Sequence, residues 1–584
     1  MYQATRILQR RNEKTTLTVE GPDGIASSEE EKTRIITEHF SKCFYSAEED
    51  PFPYIPPAEL KNPFTESEIR QAAKKLKDNK SPGCDNLNAE LIKHGPAIVH
   101  QHIPDTLNEV AKTGEYPEEI KTGHLIPLPK PGKVKGPPKN LRPIILLSVI
   151  RKLLAICIIQ RTFERIRNNI PVSQAAYSPG RSTTELVFSF KLLAEKAITS
   201  QNYEAHLLML DMSKAFDTIS RAKLIEDLRN IIDEDELHLV SILIKDVQIA
   251  VKCGKTIGEK FHTNIGSPQG DCASPIWFIL YLANALKEAN GEDNQNTITD
   301  HSYASSYRNT EDITPSFLQD HLYPKHRETT FEIDQQYADD TGWESNNKER
   351  IDTIEKEIPP VLKEKRNLNV NTDKTERYTI RRNGDDSWKN CKYLGSKIDT
   401  KNISRRKQLA NAAYQKLSTV FNSRQVSQQV KIRLFQAYIV NIFLYNSEIW
   451  TLTAKLEHQV DTFQRTLLRR ITKTSWPKKI SNSKLYNITK LKPWSEEIKY
   501  RRLKWLGHVS RLPEHAPVKK ALREALRPVK RPPGAPKTTW ISSVNKQLRV
   551  LNIDIHTALN IAGDRDSWAR LLASTKSAWS DGSC

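Results

Sequence analysis

Apolar positions along this 584-residue chain recur at two periods, and the switches between them mark its elements. Thr65 and Glu68 spell a capping box, and Ile69, Ala72, Ala73 and Leu76 follow at the spacing of an amphipathic helix. Ser81-Pro82-Gly83 is a turn signal that stops it. Residues 1–60 ahead of it read as a polar extension: a short helix around Thr33–Cys43, then a linker with prolines from Pro51 to Pro57. Residues 120–145 are rich in Pro, Gly and Lys and flank a short apolar strand, Leu125–Leu128. A second apolar stretch, Ile144–Ile159, runs into a helix. His206–Leu210 predicts a short strand that ends abruptly in Asp211. Gly266–Gly270 predicts a loop, and Ser274 to Leu286 a largely apolar helix. The stretch 287–330, rich in Asn, Asp and Thr, is too polar for a core and reads as an insertion. Phe331–Tyr337 and Thr341–Trp343 then bracket Asp339-Asp340 as two strands flank a tight turn. From 401 onward the pattern is helical and basic, with a Pro-rich basic break at 528–537.

Composition narrows the classes. Charged residues at 27% and hydrophobic ones at 38% describe a globular chain and exclude wholesale disorder; the length calls for several domains. No apolar run reaches the roughly 18 residues that a membrane-spanning helix needs. Met1 to Lys14 holds no apolar signal-peptide core, so an intracellular chain, in nucleus or cytoplasm, is expected. Seven cysteines without a CxxC pair read as reduced thiols, not as a disulfide frame or zinc site. Charge changes the picture most. Residues 401–584 hold 35 Lys and Arg against 11 Asp and Glu, a net +24, whereas residues 1–400 hold 54 against 59, a net −5. A basic face of that size suits a polyanion, above all nucleic acid; a solvated lysine-rich surface is the alternative.

The candidate chemistry lies in carboxylates. Asp211 closes one strand, and Asp339 with Asp340 sits on a hairpin turn. If the two elements are neighbours in one sheet, the three converge, and like charges held that close call for divalent cations. Spacing alone leaves a purely structural role for each aspartate equally open.

An ordered set of motifs from about Thr65 to Leu394, well over half the chain, resembles the reverse transcriptases of non-LTR retrotransposons. Lys80 to Asp85 is similar to the family's fingers-entry motif, Leu141-Arg142-Pro143-Ile144 to its RPI motif, and Gln174 to Thr183 to its QxGFRxGRST segment. Leu210 to Asp217 resembles motif A, Gly266 to Pro275 motif B, and Tyr337-Ala338-Asp339-Asp340 motif C. Leu368 to Thr375 is similar to motif D, and Tyr393-Leu394-Gly395 to the primer-contacting motif E. The resemblance implies an α+β right-hand polymerase. Fingers and a palm with an antiparallel sheet would occupy 61–400, a helical thumb 401–480, and a basic, mostly helical module 481–584.

It implies an RNA-directed DNA polymerase that uses two Mg²⁺ ions, with Mn²⁺ as a substitute, and takes an RNA template, a DNA primer and deoxynucleotides as partners. Asp211 and Asp339 would ligate both ions, and Asp340 would support them electrostatically. Arg142, with Lys130 as a helper among Lys133, Lys135 and Lys139, would hold the triphosphate. Phe216 would exclude a 2′-hydroxyl, a role compatible with a core aromatic. Gln269 and Gly270 would lie along the template–nucleotide pair. Lys374 would protonate pyrophosphate, or is a plain surface lysine. Tyr393, Leu394 and Gly395 would meet the primer.

The basic tail has its own resemblance, in Trp505 to Val509, Arg531 to Lys537 with Trp540, and Asp564 to Trp568, to C-terminal segments of such elements. There Trp505, Arg531 and Lys537 would contact nucleic acid by stacking and phosphate binding; tryptophans packing small helical cores are the alternative. About 60 residues precede the fingers, so the endonuclease usual in such elements is not expected in this chain. Departures from the pattern are Ala176, Tyr177 and Ser178 in the Gln174 segment, Ala273 in motif B, Pro359-Pro360 where a helix should follow motif C, and the long insertion. They favour the rival reading, a catalytically weak relic that binds nucleic acid.

Overall fold

Helix α1 (Glu29–Cys43) is the first long element of the structure, a computed structural model that describes residues 17–22, 24–115, 117–290, 331–398, 401–474, 480–530 and 532–580. Helix α2 (Glu66–Lys75) follows, then strands β1 (Thr122–Pro129) and β2 (Leu141–Leu146) and helices α3 (Val149–Asn168) and α4 (Thr183–Thr199). Strands β3 (Ala205–Leu210), β4 (Met212–Ser213), β5 (Val247–Cys253) and β6 (Thr256–Thr263) lead to helix α5 (Ser274–Ala289). The expected insertion lies outside the described residues from 291 to 330. Beyond it come β7 (Glu332–Tyr337), β8 (Asp340–Ser345), helix α6 (Lys348–Arg366), β9 (Asn369–Val370) and β10 (Glu376–Ile380). A short hairpin, Lys392–Tyr393 with Ser396–Lys397, follows, and the described elements beyond it are helices, among them α7 (Ala454–Thr472), α8 (Trp494–Ser510), α9 (Pro517–Leu526), α10 (Trp540–Arg549) and α11 (Arg565–Ser580).

The palm sheet has the order β10-β3-β8-β7, antiparallel throughout. Its central strand β3 is covered on both faces and is apolar except for His206, whose Nδ1 is satisfied by Thr379 Oγ1 at 3.0 Å. Ala205 and Leu207 join one core with α4 and the C-terminal helices. Leu208 and Leu210 join a second core with α3, α5 and α6. The fingers sheet, order β2-β1-β5-β6, pairs β1 with β5 in parallel and is closed by the β5–β6 hairpin.

Four expectations are corrected. Residues 1–60 are not merely an extension: Ile35, Ile36 and Phe40 of α1 are buried against Leu125, Ile145, Val247 and Ile249 of the fingers sheet. The capping box of α2 is half built. Thr65 Oγ1 accepts the Glu68 N–H at 3.3 Å, but the Glu68 carboxylate turns to Arg161 at 2.7 Å, a cross-element pair that outweighs the local one. Pro359-Pro360 do not interrupt α6, which runs through them. Pro360 is exposed and Pro359 half-buried, so both lie toward the outer side of the helix, where water can pair the carbonyls that prolines leave free one turn earlier.

The fourth correction concerns residue 481, which is no boundary. Trp494 of α8 stacks on Phe443 at 4.3 Å and on Phe435 at 5.9 Å, so the expected thumb and tail share one core. That core reaches α4 of the palm, where Lys196 donates to the Glu524 carbonyl at 2.7 Å and pairs with its carboxylate, both side chains 4% exposed.

Candidate functional site

Register brings the carboxylates together. β8 pairs with β3 so that Thr341 faces Leu210, which sets Asp340 beside the end of β3 where Asp211 stands. Tyr337 pairs with Asp340, leaving Ala338 and Asp339 as a two-residue hairpin turn. Ala338 has φ +55° at the first turn position, a left-handed conformation in which glycine is favoured.

The electrostatics follow from this convergence. Burial raises the Asp340 carboxyl to about 6, with Asp339 and Asp211 pushing in the same direction and Lys374 opposing. Burial and then Asp211 raise Asp339 also, against its own backbone hydrogen bond and Lys374. Lys374 Nζ lies 2.6 Å from Asp211 Oδ2, the nearest cation to the cluster. Its loop is held there by β9 pairing with β4 and by the Asn371 N–H donating to the Asp211 carbonyl at 2.7 Å. Among the described residues, no three His, Cys, Asp or Glu side chains close into a ready-made metal cage. The carboxylates nonetheless fit Mg²⁺, which takes one or two carboxylates and completes its shell with substrate phosphates and water. Asp211, Asp339 and Asp340 are the residues that could hold it.

Burial of the Asp339 and Asp340 carboxylates, and then the negative charge of their neighbours, opposes folding at neutral pH. A carboxyl raised in the folded state favours the native protein while protonated, and that contribution is lost as pH rises from the ordinary aspartate range through about 6. Without divalent ions, Asp340→Asn should therefore stabilise the chain by about 2 kcal/mol at pH 7.5 and by far less at pH 4.5. Thermal unfolding at the two pH values checks this; an equal effect at both would contradict it.

A cationic rim faces the carboxylates. Arg142 lies exposed on β2 opposite Leu128. Lys130 Nζ donates to the Lys139 carbonyl at 2.9 Å. Burial lowers the Lys130 ammonium, Asp217 opposes this, and Lys214, Arg142 and Lys374 lower it further, so these cations lie near Lys130 on the same side of the molecule. Phe216 stacks on Phe278 with ring centroids 4.2 Å apart and stays half-buried at the edge of the core. Gln269 Nε2 donates to Asp217 Oδ1 at 2.8 Å, and the Gln269 carbonyl accepts from Ile145 N–H at 2.8 Å. Gly270, φ +138°, approaches β2 so closely that a Cβ would collide with the Ile145 carbonyl. Arg221, fully buried, donates to the Thr263, Ile265 and Gly266 carbonyls and fixes the entry of this loop.

Other expected contacts are redirected. Tyr393 is 6% exposed, with its hydroxyl against Gly342 beneath β8, and belongs to the core instead of facing a primer. Leu394 and Gly395 form a left-handed turn, φ +45° and +79°, whose carbonyls accept from Tyr445 Oη at 3.1 Å and Arg406 Nη2 at 2.7 Å. They face the thumb helices. Trp505 is 8% exposed, edge-on to Phe188 and stacked on His508, which removes it from nucleic-acid contact. Lys537 is exposed on the 532–539 segment, and Arg531 lies outside the described residues. Lys214 is a residue near Lys130 that the motif reading passed over. Its left-handed backbone, φ +53°, comes from the bend between Asp211 and Phe216, and its place inside that motif was the available signal.

Residues 128–398 match the family model described as reverse transcriptase (RNA-dependent DNA polymerase). A probable RNA-directed DNA polymerase from transposon BS of Drosophila melanogaster is 25% identical over 224 residues, 38% of this chain and 25% of that one. The RNA-directed DNA polymerase from mobile element jockey of Drosophila funebris is 24% identical over 292 residues, 47% of this chain and 31% of that one. An uncharacterized 149 kDa protein of transposon TX1 from Xenopus laevis is 32% identical over 170 residues, 29% of this chain and 13% of that one. The matched stretch thus spans less than a third of each relative. Among solved structures, apo telomerase from Candida tropicalis aligns over 79% of this chain and 70% of its own, at 13% identity and a TM-score of 0.36, a likeness too weak to carry an argument. Residues 128–398 thus carry a reverse transcriptase domain, and the relatives they are similar to are polymerases and proteins of mobile elements.

Proposed function

We propose that this chain is an RNA-directed DNA polymerase that extends a DNA primer along an RNA template with deoxynucleotides, assisted by two Mg²⁺ ions. The observation that carries the reading is the convergence of Asp211, Asp339 and Asp340 opposite a rim of Lys130, Arg142, Lys214 and Lys374. When bound, the ions polarise the primer 3′-hydroxyl and stabilise charge on the departing pyrophosphate. Asp211 and Asp339 are the ligands in this reading, and Asp340 adds negative charge beside them. The Arg142 guanidinium offers a planar fork to triphosphate oxygens, with Lys130 beside it. Lys374 leaves Asp211 and donates a proton to a pyrophosphate oxygen. Gln269, bonded to Ile145 of β2, and Gly270, packed close against the Ile145 carbonyl, form the wall against which the nascent base pair lies.

Primer extension on RNA and DNA homopolymer templates, with deoxy- and ribonucleotides in turn, tests this directly. Mg²⁺-dependent extension on RNA with deoxynucleotides is expected. A folded chain that binds template–primer and extends nothing would be the nucleic-acid-binding relic.

Phe216 gives a second test. Its exposed face is the wall that excludes a 2′-hydroxyl, so Phe216→Ala should raise ATP incorporation relative to dATP by at least about tenfold, with about 2 kcal/mol lost from its packing on Phe278. An unchanged ratio in single-nucleotide incorporation would leave Phe216 a core residue only.

A further inference from the structure

The turn that carries Asp339 has an unfavourable backbone. Ala338 occupies the left-handed region at φ +55°, at a cost of about 1–2 kcal/mol for a residue with a Cβ. It is 8% exposed, so its peptide groups need partners inside the protein. One side chain supplies them. Gln174, 0% exposed and 164 residues away in sequence, accepts the Ala338 N–H on Oε1 at 3.0 Å. Its Nε2 lies 3.3 Å from the Ala338 carbonyl and 3.4 Å from Gln336 Oε1. The same Oε1 also accepts the Ala176 N–H at 3.0 Å, which fixes the amide's orientation from its own loop. The backbone on either side is zipped to β7. Ala175 N–H donates to the Gln336 carbonyl at 2.8 Å, and Gln336 N–H donates to the Ser173 carbonyl at 2.9 Å.

We infer that Gln174 is the positioning residue of this polymerase site: its primary amide holds both peptide groups of Ala338 and thereby sets where the Asp339 carboxylate stands. The inference rests on the function proposed above. A carboxyl on an unsupported two-residue turn would wander by more than metal geometry tolerates, and a misplacement of about 1 Å costs on the order of a hundredfold in rate. Ala175 and Ala176, each 1% exposed, pack the loop so that the amide is presented and not the backbone. This also explains why alanine at 176 is tolerated: the clamp uses its N–H and asks nothing of its side chain.

Two substitutions separate positioning from filling. Gln174→Met keeps the volume and loses every hydrogen bond; Gln174→Asn keeps the amide and loses the reach. Both should lower kcat for primer extension by about a hundredfold with template–primer Kd within about twofold of the parent. Both should also speed amide hydrogen exchange in the peptide spanning Gln336 to Thr341 by at least about tenfold, a readout that needs no activity. If Gln174→Met does not fold, Gln174→Asn carries the same comparison. A folded Gln174→Met with parental exchange and kcat within about threefold would overturn the inference and leave Gln174 a space-filling residue. A parent chain that extends no primer would instead sink the proposed function, while the exchange result would still decide whether Gln174 holds the turn.

Discussion

Asp339→Asn is expected to lower primer extension by at least about a thousandfold while leaving fold and template–primer affinity nearly intact. The side chains are isosteric, so the substitution opens no cavity, and Asp339 is half-buried on a turn, where an amide is tolerated. What it removes is one full negative charge from a site meant to hold cations. Metal charge stabilisation is worth several kcal/mol, and about 4 kcal/mol is a thousandfold in rate. A second consequence follows from the repulsion on Asp340, to which Asp339 contributes after burial. In the variant, the Asp340 carboxyl should titrate closer to the ordinary aspartate range, measurable by carbon-13 chemical shift against pH. Extension within about tenfold of the parent would show that Asp339 is no metal ligand.

The palm was legible because its signals are local. A buried strand such as Ala205–Leu210 is apolar but for His206, and Asp211 ends that run where the strand stops, while the Asp339-Asp340 pair marks a turn. Register then needed only the sheet. The fingers hairpin was not legible, since Thr256–Thr263 exposes Ile257, Glu259, Lys260 and His262 and only half-buries Thr256, Gly258 and Phe261, so it reads as loop. Aromatic residues misled for a different reason. Tyr393 and Trp505 stand among lysines and arginines in sequence, but sequence spacing does not say which face of a turn or helix meets a neighbour. Phe188 and Gly342, distant in the chain, decide that. Gln174 is the same problem in reverse: a polar residue beside two alanines reads as surface, and only the β7–β8 turn makes it a buried clamp.

Removing residues 481–584 is expected to destroy the fold and not simply trim an appendage, and this is the largest effect that the structure predicts. Trp540 of α10 is 0% exposed, edge-on to Phe188 of α4 at 4.5 Å. Its backbone N–H donates to the Glu195 carboxylate at 2.6 Å and its indole N–H to the Glu448 carbonyl at 2.9 Å. Trp494 and Trp568 are 2% exposed in the same core. Truncation would uncover Phe188 and Lys196 of α4 and take Trp494 from its stack on Phe435 and Phe443, exposing aromatic surface at about 25 cal/mol per Å². Over several such rings the loss competes with the roughly 5–15 kcal/mol by which ordinary domains are stable. Exposed cations of residues 401–584 therefore sit on helices that the palm needs for folding, while Arg406, Lys431 and Arg502 are buried among them. Its contribution to binding should be read by charge reversal at exposed positions such as Lys537, which should flatten the salt dependence of template affinity by about 0.9 in log–log slope per lost phosphate contact. Calorimetry of the full chain should show the palm, thumb and tail melting in one cooperative transition. A fragment ending at residue 480 that stays soluble and melts within about 5 °C of the full chain would show that the shared core is dispensable.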